Sequence, residues 1–525
     1  MDTHLTLEMQ EYLVDGIRDI SISLGSPSVP TTVAQINQLP PEMLVAIFVH
    51  LSKQERDSTS YFVRDLISVT HVCVSWRQVA INAPELWTEI TMANPEVVKV
   101  FLERSRAVPL NVDLCLGSEL DINSDLLEAV IPHTHRLRQL SVLASPGWGW
   151  NASTHFTKPA PLLERLVICY PPGDHQILLF DDQTPRLREL VMVFKGLWLQ
   201  NQLGNLTSLH LTLSHTRRTH SDLLPFFDML HRCPVLEEMF LFWGGWDVLL
   251  VPRQLPSVPL HHLRKLLLRS FHVANLKHFL HIFDLRTDGI AIHLSDVNPA
   301  LGGNDSISGI QRIFPNDNSG RPSLVLSTKL ELIFHTRPRA IIMHAVGPGF
   351  SVRIDLRPDD FIPFDDVNCT FRNVFPSVRE LWVRGSSRFC AKLGGVGHLT
   401  ALEKLVVVGR GSKLARDFRQ ALSPDPLGVL PCPLLSTIDC HGNASEIREI
   451  FLLVRTRASA DRRLEKLRVP SSFIPLPADI ASCVRDVGSL DIPSRILHVY
   501  AMELPEFCFS EREHEWWKPW KSRLN

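Results

Sequence analysis

The sequence predicts an α/β protein: a small domain of three helices, then an irregular open solenoid whose leucine-rich units each contribute one parallel strand. Three observations carry this. A spaced apolar triplet recurs along most of the chain, a proline commonly stands two residues ahead of it, and residues 35–92 have helical rather than strand periodicity. The 525 residues are 45% hydrophobic and 21% charged, a composition that supports a core over most of this length.

The triplet is an apolar residue, two mostly polar ones, a second apolar residue, any residue, and a third apolar one. It reads Leu137–Leu140–Val142, Leu163–Leu166–Ile168, Leu187–Leu190–Met192, Leu206–Leu209–Leu211, Leu236–Met239–Leu241 and Leu263–Leu266–Leu268. After a gap it resumes as Val378–Leu381–Val383, Leu402–Leu405–Val407, Leu435–Ile438–Cys440 and Leu464–Leu467–Val469. The middle pair is commonly charged, as in Glu164-Arg165, Glu237-Glu238 and Glu403-Lys404, and Pro161, Pro185, Pro234, Pro376 and Pro433 precede first anchors.

Proline lacks an N–H and biases its neighbour towards extended geometry, so it is expected to end a preceding helix. The last two anchors are two apart and therefore share one side of a short strand. Between triplets the chain is expected to return through a turn and usually a helix, as at Leu223–Leu230. One such unit cannot bury its own apolar face, whereas stacked units can. Between Leu263 and Val378 the triplet lapses. Strand-like runs at Ile290–Leu294 and Leu330–Phe334, and loop-like Gly302–Ser306 and Pro315–Gly320, predict degenerate repeats there with an inserted loop at 298–323.

The helical segment opens on Leu39-Pro40-Pro41-Glu42, in which the prolines suit a helix start and Glu42 its first turn. Leu44, Ile47, Phe48 and Leu51 follow as an i, i+3, i+4, i+7 stripe. Leu66, Val69, Val72, Cys73 and Trp76 mark a second helical stretch, closed by Pro84-Glu85-Leu86-Trp87. Periodicity alone leaves these residues open to ordinary core packing as well as to partner contact.

This segment resembles an F-box: a Leu-Pro opening, an amphipathic helix ending in Ile-Phe and Leu, a Val-Cys-x-x-Trp core and a closing Leu-Trp stand in order. It departs from that pattern in a longer connection, Ser52 to Val63. The remainder, including Phe101–Val112, is similar to the leucine-rich regions of the large F-box families of mushroom-forming fungi, although the repeats lack a regular asparagine or cysteine after the strand. The resemblance implies a substrate-recognition adaptor of an SCF-type cullin–RING ubiquitin ligase, with a Skp-type adaptor and through it a cullin as partners. It implies adaptor-binding roles for Leu39, Pro40, Leu44, Ile47, Phe48, Leu51, Leu66, Val69, Val72, Cys73 and Trp76. A scaffold acting outside ubiquitination is the alternative.

The residue between the last two anchors must point away from them, because strand side chains alternate. Those positions hold Ser141, Val167, Val191, His210, Phe240, Leu267, Trp382, Val406, Asp439 and Arg468, and most are apolar. Such a strip is either a contact surface for a protein target, with Phe240, Leu267, Trp382 and Arg468 as candidates, or is covered by the 298–323 loop or the N-terminal helix.

Other functions find little support. A net charge of −2 gives no general pull towards nucleic acid or anionic membrane. No apolar run approaches the length of about 18 residues that a membrane span needs. Asp2, Glu8, Glu11, Asp15 and Asp19 interrupt the first twenty residues, unlike a secretory leader. The ten cysteines include no C-x-x-C pair, and reduced, mostly buried thiols in the cytoplasm or nucleus are expected. His278 with His281, and His133 with His135, lack an evident third ligand, so no metal is expected. Gly394-Gly395-Val396-Gly397 lacks the lysine of a phosphate loop, and neither G-x-S-x-G nor H-E-x-x-H occurs. No catalysis and no cofactor are expected. The outline is an N-terminal helix and linker (1–34, with Leu5, Met9, Leu13 and Ile17 on one helix face), the helical domain (35–92), the solenoid (93–505), and a terminal cap (506–525) bearing Trp516, Trp517 and Trp520.

Overall fold

The computed structural model describes residues 39–52, 59–90, 94–116, 120–144, 152–169, 176–194, 198–213, 224–243, 257–271, 273–285, 289–297, 326–336, 339–347, 350–356, 375–385, 393–409, 412–424 and 428–490. They fall into two compact units, one within Met1–Trp87 and Glu103–Arg106, the other within Thr88–Leu102 and Ala107–Asn525. The expected N-terminal helix and linker, the 298–323 loop and the 506–525 cap lie outside the described residues.

The first unit is helical. Helix α1 (Pro41–Ser52) starts on Pro40, whose carbonyl accepts from the Met43 and Leu44 amides. Proline costs nothing at the first helical position, where its missing N–H would be unpaired in any case. Helix α2 (Thr59–Val72) begins earlier than the Ser52–Val63 connection implied. Further along it is anchored by Leu66 and Val69, which are buried, since tertiary packing supplies most of a helix's stability. Cys73 then adopts an extended backbone, φ −158° and ψ 170°, and its Sγ accepts from the Trp76 amide at 3.4 Å. That cap separates α2 from α3 (Val74–Asn82), and the 3-10 turn Pro84–Trp87 closes the unit. Leu44, Phe48, Leu66, Val69, Ala80, Leu86 and Trp87 form the core. Trp87 donates its buried Nε1–H to the Ala80 carbonyl at 2.8 Å, and the Arg104 guanidinium lies 4.4 Å from the Trp87 ring centroid.

The second unit is built on a mostly parallel sheet of 17 strands. These are β1 (Glu89–Ile90), β2 (Leu110–Leu116), β3 (Leu137–Ala144), β4 (Arg165–Cys169), β5 (Glu189–Phe194), β6 (Ser208–Leu213), β7 (Glu238–Trp243), β8 (Lys265–Arg269) and β9 (Ile290–Val297). They continue as β10 (Lys329–Thr336), β11 (Arg339–Gly347), β12 (Phe350–Leu356), β13 (Glu380–Gly385), β14 (Lys404–Gly409), β15 (Thr437–His441), β16 (Leu464–Val469) and β17 (Val484–Ser489). From β1 to β9, and again from β13 to β17, each strand pairs in parallel with the next.

Every triplet anchor is buried, none more than 3% exposed. Second anchors stand opposite one another on successive strands: Leu140, Leu166, Leu190, Leu209, Met239 and Leu266, then Leu381, Leu405, Ile438 and Leu467. The residue after each first anchor extends the ladder through its backbone. Arg188 N–H donates to Glu164 O at 2.9 Å, Arg264 N–H to Glu237 O at 2.7 Å and Glu403 N–H to Arg379 O at 2.8 Å. Buried arginines close the carbonyls of neighbouring turns: Arg136 donates to Leu102 O at 2.7 Å, and Arg457 to Cys432 O at 2.8 Å and Pro431 O at 3.0 Å.

Two expectations need correction here. The prolines ahead of the triplets act as turn residues rather than as helix terminators. Leu163, Leu187, Leu236, Val378 and Leu435 donate N–H to Ala160, Thr184, Cys233, Phe375 and Cys432, which puts Pro161, Pro185, Pro234, Pro376 and Pro433 second in a β-turn. A φ fixed near −65° suits that position. The returns between strands are also less helical than expected. Helices stand at Leu120–Val130, Leu224–His231, Val273–Ile282, Ser412–Leu422 and Ala444–Ser459, with a single turn at Ala152–His155, whereas the return between β5 and β6 contains the two-residue strand Trp198–Leu199.

The gap between Leu263 and Val378 holds a different topology from a run of degenerate repeats. The expected strand-like runs form β9 and β10, but β12 pairs in parallel with β9, β11 lies antiparallel between β12 and β10, and β10 pairs in parallel with β13. The spatial order is thus β9, β12, β11, β10, β13. Only two residues join β10 to β11 and β11 to β12 (337–338 and 348–349). A connection that short permits only antiparallel pairing, because a parallel crossover needs a dozen residues or more.

Candidate partner-binding surfaces

In the helical unit, α1 carries two neighbouring apolar stripes. Leu44 and Phe48 point inwards, and Phe48 lies 5.1 Å from Trp76, centroid to centroid. Pro40, Met43 and Leu51 are exposed and Ile47 is half-buried. The α2–α3 junction adds Val72 and Val74, which are 60% and 65% exposed. Leu39, Cys73 and Trp76 are half-buried.

Among the sequence-derived adaptor-binding residues, Leu44, Phe48, Leu66 and Val69 are therefore core residues, a correction that is sharpest for Phe48 at 1% exposure. An i, i+3, i+4, i+7 stripe spans more arc than one interface, so half of it packs inwards. Pro40, Leu51 and Val72 remain accessible. Met43 and Val74 are exposed apolar residues that the sequence reading did not single out, although Met43 stands four residues before Ile47 and Val74 immediately precedes Ser75-Trp76.

In the sheet unit, the residues between the last two anchors stack rung on rung. Val167 faces Val191, Val191 faces His210, His210 faces Phe240 and Phe240 faces Leu267. His210 and Phe240 stack with ring centroids 4.0 Å apart. Strands about 4.8 Å apart let large side chains cover one another. Phe240 is consequently only 6% exposed, and Leu267 is buried as well. Both were expected to be available for a target and are instead packed. Trp382 and Arg468 are half-buried and keep accessible surface.

The same rung row continues through the inserted strands as His293, Arg353, His344 and Glu331 before reaching Trp382. All four inserted side chains are buried. His293 Nε2 lies 3.0 Å from Asp355 Oδ2, and Arg353 donates to both Asp355 oxygens at 2.9 and 3.0 Å. His344 Nδ1 lies 2.9 Å from Glu331 Oε2, and Arg384 Nε approaches Glu331 Oε1 at 2.8 Å. Burial would raise the Asp355 carboxyl, but His293 and Arg353 outweigh it and hold the group at about 2. Burial pushes the His344 imidazole down, against the pull of Glu331. Each carboxylate thus already faces an imidazole and a guanidinium, an arrangement suited to internal charge pairing. It was not legible in the sequence, since alternating polar residues in a strand equally read as a solvated face.

Beyond Trp382 the face is charged and more open. Trp382 donates Nε1–H to Glu380 Oε1 at 2.9 Å, and Lys404 donates to the same oxygen at 2.5 Å while lying 5.3 Å from the Trp382 ring centroid. Arg468 grips Asp439 with two hydrogen bonds of 2.7 and 2.6 Å. Gly488 faces Arg468 on β17, and a Cβ there would crowd the arginine stem. Among the described residues, no three His, Cys, Asp or Glu side chains group as metal ligands, and no helix is long and apolar enough to cross a membrane.

Residues 36–93 match the family model described as F-box-like. No curated protein matches the chain. The helical unit, with its Leu-Pro opening, capped Cys73 junction and closing Leu-Trp, thus gives this chain an F-box-like domain.

Proposed function

We propose that this protein recruits a target to an SCF-type cullin–RING ubiquitin ligase and performs no chemistry itself. The observation that carries this is the F-box-like match over 36–93. F-box domains typically bind Skp-type adaptors, and through such an adaptor a cullin is reached. In this reading the accessible strip formed by Pro40, Met43, Ile47, Leu51, Val72 and Val74 meets the adaptor, with Leu39 at its edge. Val72 and Val74 on a folded surface are the apolar exposure that a protein partner would remove from water.

The parallel-sheet unit acts as an irregular leucine-rich-repeat-like solenoid that holds a protein target, in the cytoplasm or nucleus. Its regular register supports this, because in-register units present a long continuous face. The gain would be effective concentration: a tethered target meets the ubiquitin-transfer machinery without a new catalytic group.

Co-expression with a Skp-type adaptor tests the reading. The wild-type chain should copurify with adaptor and cullin, and Leu39→Ala with Pro40→Ala should abolish that while circular dichroism stays unchanged. A folded double variant that still retains the adaptor would remove those two residues from the interface. Absence of any copurifying adaptor with the wild-type chain would remove the ligase reading itself.

A further inference from the structure

The charges on the face of β13–β16, and of β10 beside β13, are layered by depth. Glu380 and Asp439 lie low, with side chains 18% and 5% exposed. The cations that pair with them stand higher: Lys329 is 48%, Lys404 29% and Arg468 35% exposed. Lys404 bridges the two carboxylates, at 2.5 Å from Glu380 and 4.0 Å from Asp439. Arg384 is mostly buried beside Glu331, which is fully buried. At the β17 border Lys466 pairs with the exposed Asp486 at 3.4 Å, but from Lys329 to Arg468 what the patch offers to an approaching chain is cationic, because Glu380, Asp439 and Glu331 are covered by their own partners. His441, on the neighbouring β15, responds to the same field: burial lowers its imidazole to about 4, with Arg384 and Arg468 acting in the same direction.

Trp382 adds an amphipathic ring within this cationic patch, its Nε1–H held by Glu380. The apolar half of the face, from Val167 to Leu267, is closed by its own stacking. Ser141 and Asp113 keep surface at the far end of the row, whereas its accessible aromatic and cationic groups, Trp382 and Arg468, stand at the β13–β16 end.

We propose that the face of β13–β16 and the adjoining start of β10, with Lys404, Arg468, Trp382 and, on β10, Lys329 as its contact groups, docks an extended, Asp- or Glu-rich, unmodified segment of a partner protein. This rests on the reading of the sheet unit as the target-holding part. Carboxylates of the segment would take second positions on Lys404 and Arg468, whose present partners lie beneath them, and an apolar residue beside an acidic one would cover Trp382. Recognition of this kind weakens with salt, because these cations are only partly buried.

The test is a random-peptide selection on the immobilised full-length chain, without adaptor or cullin, so its outcome is independent of the ligase assignment. Selection on the wild-type chain should enrich Asp- and Glu-containing peptides, whose binding falls as salt rises. Lys404→Gln with Arg468→Gln should weaken the selected peptides roughly tenfold, as for the loss of two partly exposed ion pairs. Lys265→Gln, which removes a comparable cation paired with Glu238 at 2.6 Å on the other half of the sheet, should leave them unchanged. Glu380→Gln, nearly isosteric, removes an underlying carboxylate and should tighten them. The proposal fails if acidic peptides are not enriched, or if the double variant binds them as the wild type does at an unchanged melting temperature. Should the double variant not fold, Glu380→Gln decides: unchanged or weaker binding overturns the assignment.

Discussion

His441 shows how one side chain ties charge placement to stability. Burial, and then Arg384 and Arg468, lower its imidazole from 6.5 to about 4. Between those values the unfolded chain takes up a proton that the folded chain refuses. This contribution to stability is therefore complete above pH 6.5 and declines as the pH falls towards 4. His441→Gln should flatten that part of a melting-temperature profile, and an unaltered slope would assign it to other groups. Gly409 makes a steric counterpart. A Cβ there, or at Gly442, would collide with the buried Glu446 carboxylate, which accepts from the Asn443 amide at 2.9 Å while Asn443 Oδ1 accepts from the Glu446 amide at 3.1 Å. Gly409→Ala should cost about 1–3 kcal/mol by overpacking this capping box. Gly204→Ala, with open space around the new methyl, should be near neutral in the same thermal melts.

At the scale of the element, strand anchors and strand neighbours separate cleanly. Leu190 and Leu405 are fully buried second anchors, whereas the Glu403 side chain is half exposed beside Arg379. Leu190→Asp and Leu405→Asp should each unfold part of the sheet, because an unpaired charge would be buried. Glu403→Ala should stay within about 0.5 kcal/mol of wild type, as surface substitutions do. Equal, small effects in denaturant titrations would contradict the anchor assignment. The inserted β10–β12 meander depends on a different interaction. Arg353→Ala would leave Asp355 buried without its guanidinium, and breaking such a pair costs about 3–5 kcal/mol. The loss should be concentrated in the amides of β9 to β12 by hydrogen exchange. Protection unchanged there would mean that apolar packing alone holds the meander.

For the whole molecule, the F-box-like domain and the sheet unit should respond separately to substitution. Val72→Asp with Val74→Asp alters exposed residues, so adaptor copurification should be lost with little change in melting temperature. Phe48→Ala removes a buried ring packed on Trp76 and should cost about 3–5 kcal/mol within the helical unit. Leu405→Asp should spare adaptor binding. Loss of adaptor binding in Leu405→Asp, or its retention in the valine pair, would break this division of labour.

Much of this was legible in the chain itself. Triplet spacing located the parallel strands and their buried anchors, since period-two alternation is a property of the backbone and each unit repeats it. The Leu39-Pro40 opening marked a helix start locally, and the Val72-Cys73-x-x-Trp76 run marked the helical domain through its resemblance to an F-box, while the cap at Cys73 that divides α2 from α3 emerged only in the structure. Tertiary structure alone decided three things. It divided the α1 stripe between Phe48 inside and Ile47 near the surface, because a helix face becomes interior only when a neighbour packs on it. It placed β12, not β10, beside β9, because strand partners are chosen by crossover length and by charge pairs assembled from five strands. It also closed Phe240 and Leu267 while leaving Trp382 and Arg468 accessible, because exposure along a sheet depends on which side chains stand on the adjoining rungs, and those come from residues distant in sequence.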